Sequence, residues 1–375
     1  MRTYCLDYQP AVSQLAGIGR YTKILAESMA PMLGSEESLR LFYCDFRRHL
    51  TRSPAEGVET RAFRLFPGGL LQHSWTRYNT PPFDWFSGRA DVFHFTNFFA
   101  RPVTRGKVIT TVHDMSYERY PQFAAAYNCF VLKRGVGRSI QASDAVLTIS
   151  EFSKREIEEI HPYAKGKVFV TYPGIGADFS PASPEAVREI KRKLGLTRPF
   201  LLTVGTIEPR KNLEFLVDVF ERLAPEGYDL VVSGAPGWRY DSIFARFEGT
   251  RFPKQFHYVR YVPDGGLTAL YSAAALYVTP SHYEGFGFPP LEAMACGAPV
   301  LSSNGGSLPE VLGDAATIVN GFDADEWAQA ALRVLRSSQQ ELDARRAHGI
   351  AHARSFTWER CVRQTLDQYR KVANG

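Results

Sequence analysis

The chain has 375 residues, which is long for one hydrophobic core, so two domains are expected. Its composition, 45% hydrophobic and 22% charged, is that of an ordinary soluble globular protein. The five scattered cysteines have the spacing of neither a zinc site nor a disulfide framework, so we expect reduced thiols in a cytoplasm. No apolar core follows the first residues and no run reaches about eighteen apolar residues, so neither a signal peptide nor a membrane span is predicted.

The net charge of +5 lies entirely in the first half of the chain, since the second half balances. Much of the excess falls in residues 40–105, where basic and aromatic residues are interleaved. Such a surface suits an anionic partner, either a nucleic acid or a membrane face with anionic lipids. A solvated face with some exposed aromatic residues explains the pattern equally well, so both interpretations stay open.

Short β-branched or aromatic runs alternate with helical patterns along the whole chain. The predicted strands are, in order, RTYCLDY, LRLFYC, DVFHFT, KVITTV, DAVLTIS and KVFVTY, then PFLLTVG, YDLVVSG, FHYVRYV, ALYVTPS, APVLSS and AATIV. Near-continuous apolar strands separated by helices predict parallel sheets that are covered on both faces. Two such series predict two doubly wound α/β domains.

The boundary between the two series is predicted within residues 173–185, PGIGADFSPASPE, which are rich in Gly, Pro, Ser and Ala and have no periodicity. We therefore expect a first domain over residues 1–177 and a second over residues 178–355. Residues 356–375 carry an amphipathic helical pattern after the second domain should be complete.

Open parallel sheets bind ligands beyond the carboxyl ends of their strands, so the turns from strand to helix are examined first. Gly17 and Gly19 follow the first strand and open a helix, where backbone N–H groups can approach a phosphate, although a simple tight turn has the same pattern. His113 ends an apolar strand, where its imidazole would face a cleft between the domains. The alternative is a buried histidine that is hydrogen-bonded to the backbone.

A second turn joins the strand PFLLTVG to a helix through Gly205, Pro209 and the adjacent cations Arg210 and Lys211. Asn212 is a candidate N-cap for that helix. Two cations beside a helix start suit a diphosphate, because arginine can bind in a bidentate manner and lysine supplies a point charge. The alternative is an exposed basic turn.

Two glutamates, Glu284 and Glu292, lie on either side of the turn GFGFPP, which follows the apolar strand ALYVTPS. The prolines fit the first turn of a helix, so Glu284 is predicted in the loop and Glu292 near the helix start. Glu292 alone could simply complement the helix dipole, but Glu284 has no such explanation. The N–H groups available to an anionic or hydroxylated ligand are those of Gly285, Phe286, Gly287 and Phe288.

The segments EGFGFPPLEAMACGAPV and VGTIEPRKNLE together resemble the nucleotide-sugar-dependent glycosyltransferases of family 4. The likeness extends through GIGRY, TVHD, SDAVLTISEFSKREI, PGI and FTWERC, and so covers essentially the whole chain. The resemblance implies a retaining enzyme of the GT-B architecture, with two facing Rossmann-like domains. The first would bind the acceptor, the second would bind the nucleotide sugar, and the C-terminal helix would cross back to the first.

The resemblance also implies roles for the residues singled out above. Arg210 and Lys211 would hold the donor diphosphate and stabilise the leaving nucleotide, while residues 285–288 would present backbone donors to the sugar and phosphate. Glu284 would bind the hydroxyls of the transferred sugar, and Glu292 would bind those of the ribose. His113 would lie beside the sugar, and Gly17 and Gly205 would lie near the diphosphate. Tyr261 and Val262 would line the pocket of the base. Many relatives carry arginine where this chain has Thr206, so the division of roles between the two cations stays open.

The resemblance implies transfer of a hexose to a hydroxyl of a lipid-linked or polysaccharide acceptor in cell-surface glycan synthesis. GDP-mannose is the first candidate donor, and UDP- and dTDP-sugars are alternatives. No metal and no bound cofactor are expected, since the chain offers two cations for the diphosphate. We expect a cytoplasmic protein, with contact to the inner face of the plasma membrane through the first domain and no nucleic-acid partner.

Three other functions remain open from the sequence. A nucleotide-sugar epimerase has the same fold but transfers sugar to no acceptor. A saccharide-binding protein without activity would not need His113, the two cations and the two glutamates together. A nucleic-acid binder would use the basic, aromatic stretch of the first half.

Overall fold

The computed structural model describes residues 1–14, 17–46, 58–262 and 265–375. Contacts divide the chain into unit 1, which comprises Met1–Glu118, Ala126–Gly174 and Thr357–Gly375, and unit 2, which comprises Arg119–Ala125 and Ile175–Phe356. Residues 47–57 of the basic, aromatic stretch lie outside the described residues, as do the two residues before Gly17.

Unit 1 is built on a parallel sheet of seven strands in the order β3-β2-β1-β4-β5-β6-β7 within the described residues. The chain visits both sides of β1, which is the mark of a doubly wound sheet. The strands are β1 Arg2–Asp7, β2 Glu37–Cys44, β3 Glu59–Phe63, β4 Val92–Phe95, β5 Lys107–Thr111, β6 Ala145–Thr148 and β7 Val168–Val170.

Helices cover both faces of this sheet and include one from the end of the chain. They are α1 Gln9–Ser13, α2 Ile18–Met29, α3 Gly68–Tyr78, α4 Asp84–Ser87, α5 Ser116–Arg119, α6 Ala126–Ala142, α7 Glu151–Ile160 and, after unit 2, the C-terminal helix Trp358–Asn374. Ser150 caps α7, because its Oγ accepts a hydrogen bond from the backbone N–H of Ser153 at 3.1 Å.

Unit 2 holds a second parallel sheet, of six strands within the described residues, in the order β10-β9-β8-β11-β12-β13. Its strands are β8 Phe200–Val204, β9 Asp229–Ser233, β10 Phe256–Val259, β11 Leu276–Thr279, β12 Val300–Ser303 and β13 Thr317–Val319. Its helices are α8 Pro184–Lys193, α9 Leu213–Leu223, α10 Asp241–Glu248, α11 Gly266–Ala273, α12 Phe288–Ala295, α13 Leu308–Leu312, α14 Ala324–Leu335 and α15 Gln339–Arg354, so that the C-terminal helix of unit 1 is α16.

Eleven of the twelve strands predicted from the sequence contain a strand of the structure, and the twelfth, LRLFYC, covers all of β2 but its first two residues; both sheets are parallel as expected. The strand that the sequence did not reveal is β3, whose residues alternate between exposed and half-buried. It lies at the edge of its sheet, where charged residues are tolerated on the open side. No helix of the described ranges is long and apolar enough to cross a bilayer.

Helix α16 completes the core of unit 1. The phenol of Tyr369 lies 2.7 Å from Nδ1 of His94, a buried residue of β4, and its ring meets that of Tyr4 at a centroid distance of 5.0 Å. At the helix end, Arg370 donates two hydrogen bonds of 2.8 Å to the carboxylate of Glu37. The amphipathic pattern of residues 356–375 thus corresponds to a helix whose apolar face covers strands made at the start of the chain.

Replacing Tyr369 by phenylalanine should lower the free energy of unfolding of unit 1 by about 1–3 kcal/mol, because a buried ring nitrogen of His94 would lose its partner. The measurement is urea denaturation of the full chain, followed by circular dichroism. The matched control is Tyr127→Phe, since Tyr127 is 77% exposed and the change should have no effect. Equal stability of the two variants would contradict the role of this hydrogen bond.

Candidate active site

The candidate site of unit 2 is formed by the loops that follow two neighbouring strands. Strands β8 and β11 pair in parallel, so both end at the same edge of the sheet. The loop after β8 carries Arg210 and Lys211, and the loop after β11 carries Glu284. Residues that are more than seventy positions apart are therefore brought together, as the strand order requires.

The loop after β8 depends on Gly205, whose φ of +147° is rarely adopted by residues with a side chain. Its carbonyl passes so close to Gly234 that a Cβ on that residue would lie 1.8 Å from the oxygen. Arg210 and Lys211 then form a short 3-10 turn that leads into α9. Asn212 stands at the helix start as expected, but in the left-handed conformation and without a side-chain capping bond, which differs from the predicted N-cap.

The carboxylate of Glu284 joins the two loops. Its Oε2 accepts a hydrogen bond of 2.7 Å from Nη1 of Arg210, and its Oε1 accepts one of 2.6 Å from Nζ of Lys211. The hydroxyl of Ser281 donates a third, of 2.7 Å, to Oε1. Charge-assisted hydrogen bonds of this length are among the strongest in proteins, so the carboxylate holds both cations in fixed positions.

A second carboxylate balances the charge. Nη2 of Arg210 donates to Oε1 of Glu208 at 2.5 Å, and Nη1 also donates to the carbonyl of Tyr283 at 2.6 Å. Glu208 is 2% exposed and Glu284 is 7% exposed. Two cations and two carboxylates thus form a neutral cluster, which is the condition under which buried charges are tolerated.

The surroundings of Glu284 act on its pKa in opposite directions. Burial alone would raise this pKa, but the charges of Arg210 and Lys211 and the hydrogen bonds from Lys211 and Ser281 outweigh burial and lower it to about 2. The carboxylate is therefore ionised at neutral pH, and it can bind hydroxyl groups or cations but cannot serve as a general acid.

The backbone after Glu284 is also fixed. Both the backbone N–H and the hydroxyl of Ser307 donate to the carbonyl of Glu284, at 2.9 and 3.0 Å. The ring of Phe286 is buried and packs against the rings of Phe288 and Phe356. Gly287, at φ +96°, begins α12, and a Cβ there would lie 2.8 Å from Leu308. The loop 285–288 thus packs through its phenylalanines, and what it can offer a ligand is its backbone.

Glu292 lies in α12 as expected, but it is the fifth of the eight helix residues and so follows the first turn, one turn further along than the predicted position near the helix start. It is buried, and the phenol of Tyr271 donates to its Oε2 at 3.1 Å. Burial and the nearby Glu292 charge both raise the pKa of Tyr271, so the phenol keeps its proton and remains a donor. The Tyr271 phenol therefore gives Glu292 a specific hydrogen-bond donor, whereas the helix dipole, which acts on the first turn, does not account for Glu292.

Three predicted residues lie in unit 1. His113 is buried, its Nε2 lies 2.8 Å from the carbonyl of Thr96, and its ring meets that of Tyr21 edge-on. Since a carbonyl only accepts, Nε2 carries the proton and Nδ1 is left as an acceptor, while burial lowers the pKa of the ring.

Gly17 precedes α2 at φ +57°, and a Cβ there would have no atom of the described residues within 4 Å, but a Cβ on Gly19 would lie 2.0 Å from the carbonyl of Gln14. Close packing therefore explains Gly19, whereas the surroundings of Gly17 leave room for a ligand.

The two residues expected at the base differ in exposure, since Tyr261 is 71% exposed and Val262 is 9% exposed. The sequence did not reveal Glu208, Ser281 or Tyr271, although Glu208 stands two residues before Arg210 and could have been suspected as its partner. No group of three or more potential metal ligands occurs among the residues that the structure describes.

The segment Arg119–Ala125 is a further part of unit 2 that the sequence did not reveal. The ring of Phe123 stacks on His282 at a centroid distance of 4.9 Å, and Tyr120 packs against Tyr283. The indole of Trp238 donates to the carbonyl of Phe123 at 2.6 Å. Residues that directly precede Glu284 are thus supported by a segment from the first half of the chain.

Comparison with solved structures identifies the class of fold. Sucrose-phosphate synthase from Thermosynechococcus elongatus superposes with a TM-score of 0.77 at 19% identity and covers 99% of both chains. WaaG, a glycosyltransferase involved in lipopolysaccharide biosynthesis, superposes with a TM-score of 0.69 at 16% identity and covers 98% of this chain and 99% of its own. The two Rossmann-like parallel-sheet domains are those of the GT-B fold, which confirms the fold prediction.

Sequence comparison identifies the family. The model of Glycosyltransferase Family 4 matches residues 16–179, and that of Glycosyl transferases group 1 matches residues 186–350. O-antigen chain mannosyltransferase B of Escherichia coli is 36% identical over 285 residues, which are 74% of each chain. The serotype-specific mannosyltransferase WbdA of Escherichia coli is 29% identical over 71% of this chain, which spans only 34% of that longer protein. The chain belongs to glycosyltransferase family 4, as its motifs predict, and it is a glycosyltransferase.

Replacing Glu284 by glutamine should destabilise the fold at neutral pH and progressively less in acid. A carboxylate whose folded pKa is lowered from 4.5 to about 2 stabilises the protein above pH 4.5, and this contribution is lost as the pH falls towards 2. At about 1.4 kcal/mol for each pKa unit, the contribution at pH 7 is roughly 3 kcal/mol. Urea denaturation of wild type and Glu284→Gln between pH 7 and pH 3 measures it.

The control for this experiment is Glu248→Gln, a change at an exposed carboxylate of α10. The stability difference between wild type and Glu284→Gln should narrow between pH 5 and pH 3, while that of the control should stay near zero. A difference that is constant with pH would mean that the Glu284 charge does not stabilise the fold.

Proposed function

We propose that this chain is a retaining mannosyltransferase, which moves mannose from GDP-mannose to a hydroxyl of a lipid-linked or polysaccharide acceptor in cell-surface glycan synthesis. The observation that carries the proposal is the cluster in which Glu284 holds Arg210 and Lys211 side by side. Its supporting evidence is the 36% identity to an O-antigen mannosyltransferase.

The cluster is suited to a nucleoside diphosphate leaving group. Arg210 and Lys211 are 20% and 15% exposed at their side chains, so they are positioned but still accessible. Cations fixed in advance stabilise the charge that develops on a leaving diphosphate without reorganising at the moment of reaction. When the donor binds, Glu284 accepts hydrogen bonds from hydroxyls of the sugar and Glu292 accepts hydrogen bonds from the ribose.

The reaction that fits these groups is a displacement on the face from which the diphosphate leaves. The acceptor oxygen forms a bond to the anomeric carbon, the bond from that carbon to the phosphate oxygen breaks, and the acceptor's proton passes to the departing phosphate. A covalent sugar on Glu284 is disfavoured, because both of its oxygens already accept strong hydrogen bonds. Glu292 sits within a helix and serves the ribose, so the two glutamates do not act as the acid–base pair of a glycosidase.

The donor is tested by thermal unfolding of the protein in the presence of GDP-mannose, UDP-glucose, UDP-N-acetylglucosamine and dTDP-rhamnose. A donor that binds the folded state raises the melting temperature in proportion to the logarithm of its concentration above Kd. GDP-mannose should give the largest shift and should also yield GDP when an acceptor glycan is added. A free epimerised sugar nucleotide, with no new glycosidic product, would indicate the epimerase instead.

The matched variants for this test are Lys211→Met and, as a control, Lys193→Met on the exposed face of α8. Loss of the Lys211 charge should lower kcat by about 100- to 1,000-fold, the usual effect of removing one such stabilising group, and should change the acceptor KM little. Turnover of Lys211→Met at the wild-type rate would refute the role assigned to this cation.

We also infer that unit 1 contacts a membrane that carries anionic lipids. A groove of about 590 Å3 between the end of α3 and helix α6 is lined by three exposed arginines, Arg77, Arg134 and Arg138, and by three exposed aromatic residues. Tyr78, Tyr127 and Phe130 are 65%, 77% and 61% exposed. Aromatic side chains of this kind favour the interface between lipid and water, and the arginines complement anionic headgroups, so the occupant that fits is the inner face of the plasma membrane.

Binding to vesicles tests this contact. Arg134→Glu combined with Arg138→Glu should abolish co-sedimentation with vesicles that contain one part phosphatidylglycerol to three parts phosphatidylcholine. Binding of the wild type should weaken with added salt, because exposed charges are screened. The control is Arg188→Glu, an exposed charge reversal on α8 of unit 2. Undiminished sedimentation of the double variant, or sedimentation with pure phosphatidylcholine, would refute the proposed surface.

A further inference from the structure

Unit 1 contains a second cavity, of about 380 Å3, at the carboxyl edge of its sheet. Asp7 ends β1, Cys44 ends β2 and Asn97 follows β4, and all three line the cavity. This edge is where open α/β sheets bind ligands, and the volume falls within the range of about 300–1,000 Å3 of ligand pockets. None of the roles assigned above uses this cavity.

Buried Asp7 and half-buried Arg101, which have opposite charges, line the cavity without forming an ion pair with one another. Asp7 is 8% exposed, and its Oδ1 accepts one hydrogen bond, of 3.1 Å, from the backbone N–H of Gln9. In the described part of the chain, no hydrogen bond or ion pair reaches its Oδ2. Arg101 lies between the rings of Trp75 and Phe99, at 5.4 and 5.8 Å from the ring centroids. Since Asp7 lines the cavity, its Oδ2 is available to a hydrogen-bond donor that enters there.

Two amide side chains, those of Gln9 and Gln72, line the same cavity. The Oε1 of Gln9 accepts from the backbone N–H of Cys44 at 2.8 Å, and the Oε1 of Gln72 accepts from Nη2 of Arg101 at 2.5 Å. With each amide oxygen engaged, the NH2 group of each glutamine is left to donate. Nε of Arg101 is also buried and without an acceptor within the described residues. One acceptor and several donors around an aromatic ring match the alternating hydroxyls of a saccharide.

An anionic ligand fits this cavity less well than a neutral saccharide. Burial raises the pKa of Asp7, and the nearby Arg101 charge opposes this rise. A phosphate group would meet the Asp7 carboxylate at close range, and like charges in a buried site repel strongly. Sugar hydroxyls can donate to the carboxylate and accept from the amides at the same time.

We propose that this cavity binds the terminal, uncharged saccharide unit of the acceptor, with Asp7 accepting from its hydroxyls and with Gln9, Gln72 and Arg101 donating to them. The proposal rests on the proposed function, since it names the part of the acceptor that unit 1 recognises. It makes Asp7 a residue that determines specificity for the acceptor and gives it no part in donor binding.

Gly69 offers a way to block the cavity without removing a polar group. It lines the cavity near the start of α3, its φ is not positive, and a Cβ there would meet no atom within 4 Å. Because no atom of the described residues stands in the way and a helical glycine is replaced, Gly69→Leu should fold normally. Asp7→Asn removes the charge with little change of shape. The control is Lys23→Leu, which puts the same side chain on an exposed position of α2.

The probe is methyl α-D-mannopyranoside, with the methyl glycosides of glucose and N-acetylglucosamine alongside, titrated by saturation-transfer NMR. One or more of these should bind the wild type and Lys23→Leu, and should bind Gly69→Leu and Asp7→Asn at least tenfold more weakly. GDP should protect all four proteins equally against thermal unfolding. Absence of binding by the wild type, equal binding by Gly69→Leu, or displacement of the glycoside by inorganic pyrophosphate would overturn the proposal.

The glycoside titration and the measurement of protection by nucleotides test this inference and the proposed function separately. If no nucleotide protects the wild type, the proposed transferase function is wrong, while the glycoside titration still decides whether the cavity binds saccharides. If nucleotides protect and glycosides bind without dependence on Asp7 or Gly69, the function stands and the assignment of the cavity is wrong.

Discussion

The candidate site depends on the carboxylate of Glu284, which keeps two like charges close together. Arg210 and Lys211 repel one another, and in water their long side chains would separate. One carboxylate with both oxygens engaged, supported by Ser281 and balanced by Glu208, holds them beside the end of the sheet. The ordering of these side chains is achieved when the protein folds, so an anionic ligand that meets them has less side-chain entropy to lose.

The two units treat buried charge in different ways. In unit 2 the cations and carboxylates satisfy one another, and the cluster is neutral and closed. In unit 1 Asp7 and Arg101 line one cavity without forming an ion pair, and the side chains of Gln9 and Gln72 line the same cavity. The cluster of unit 2 is suited to a ligand whose groups replace hydrogen bonds that the protein already makes. The residues around the cavity of unit 1 are suited to a ligand that adds the hydrogen bonds that are missing there. This contrast matches the donor role proposed for unit 2 and the acceptor role proposed for unit 1.

Much of this arrangement could be predicted from sequence because it depends on local patterns. Continuous apolar runs predicted twelve strands, and the turn between Glu284 and Glu292 predicted a loop residue and a helix residue. What could not be predicted depends on distant contacts or on packing. Strand β3 is polar because it lies at an edge, and the segment Arg119–Ala125 contacts residues far along the chain. Gly19 has the pattern of a phosphate turn, but the carbonyl that excludes a side chain there is visible only in the structure.

The position of α16 affects how the protein can be made. The helix that covers Tyr4, Tyr21 and His94 is synthesised after the whole of Ile175–Phe356. On the ribosome the sheet of unit 1 is therefore present first but lacks α16, while every residue of unit 2, including the early segment Arg119–Ala125, has been made before α16. Domains usually fold in the order of synthesis, but here the later one can be completed earlier. The apolar surface of the first sheet must accordingly be protected from aggregation until translation ends.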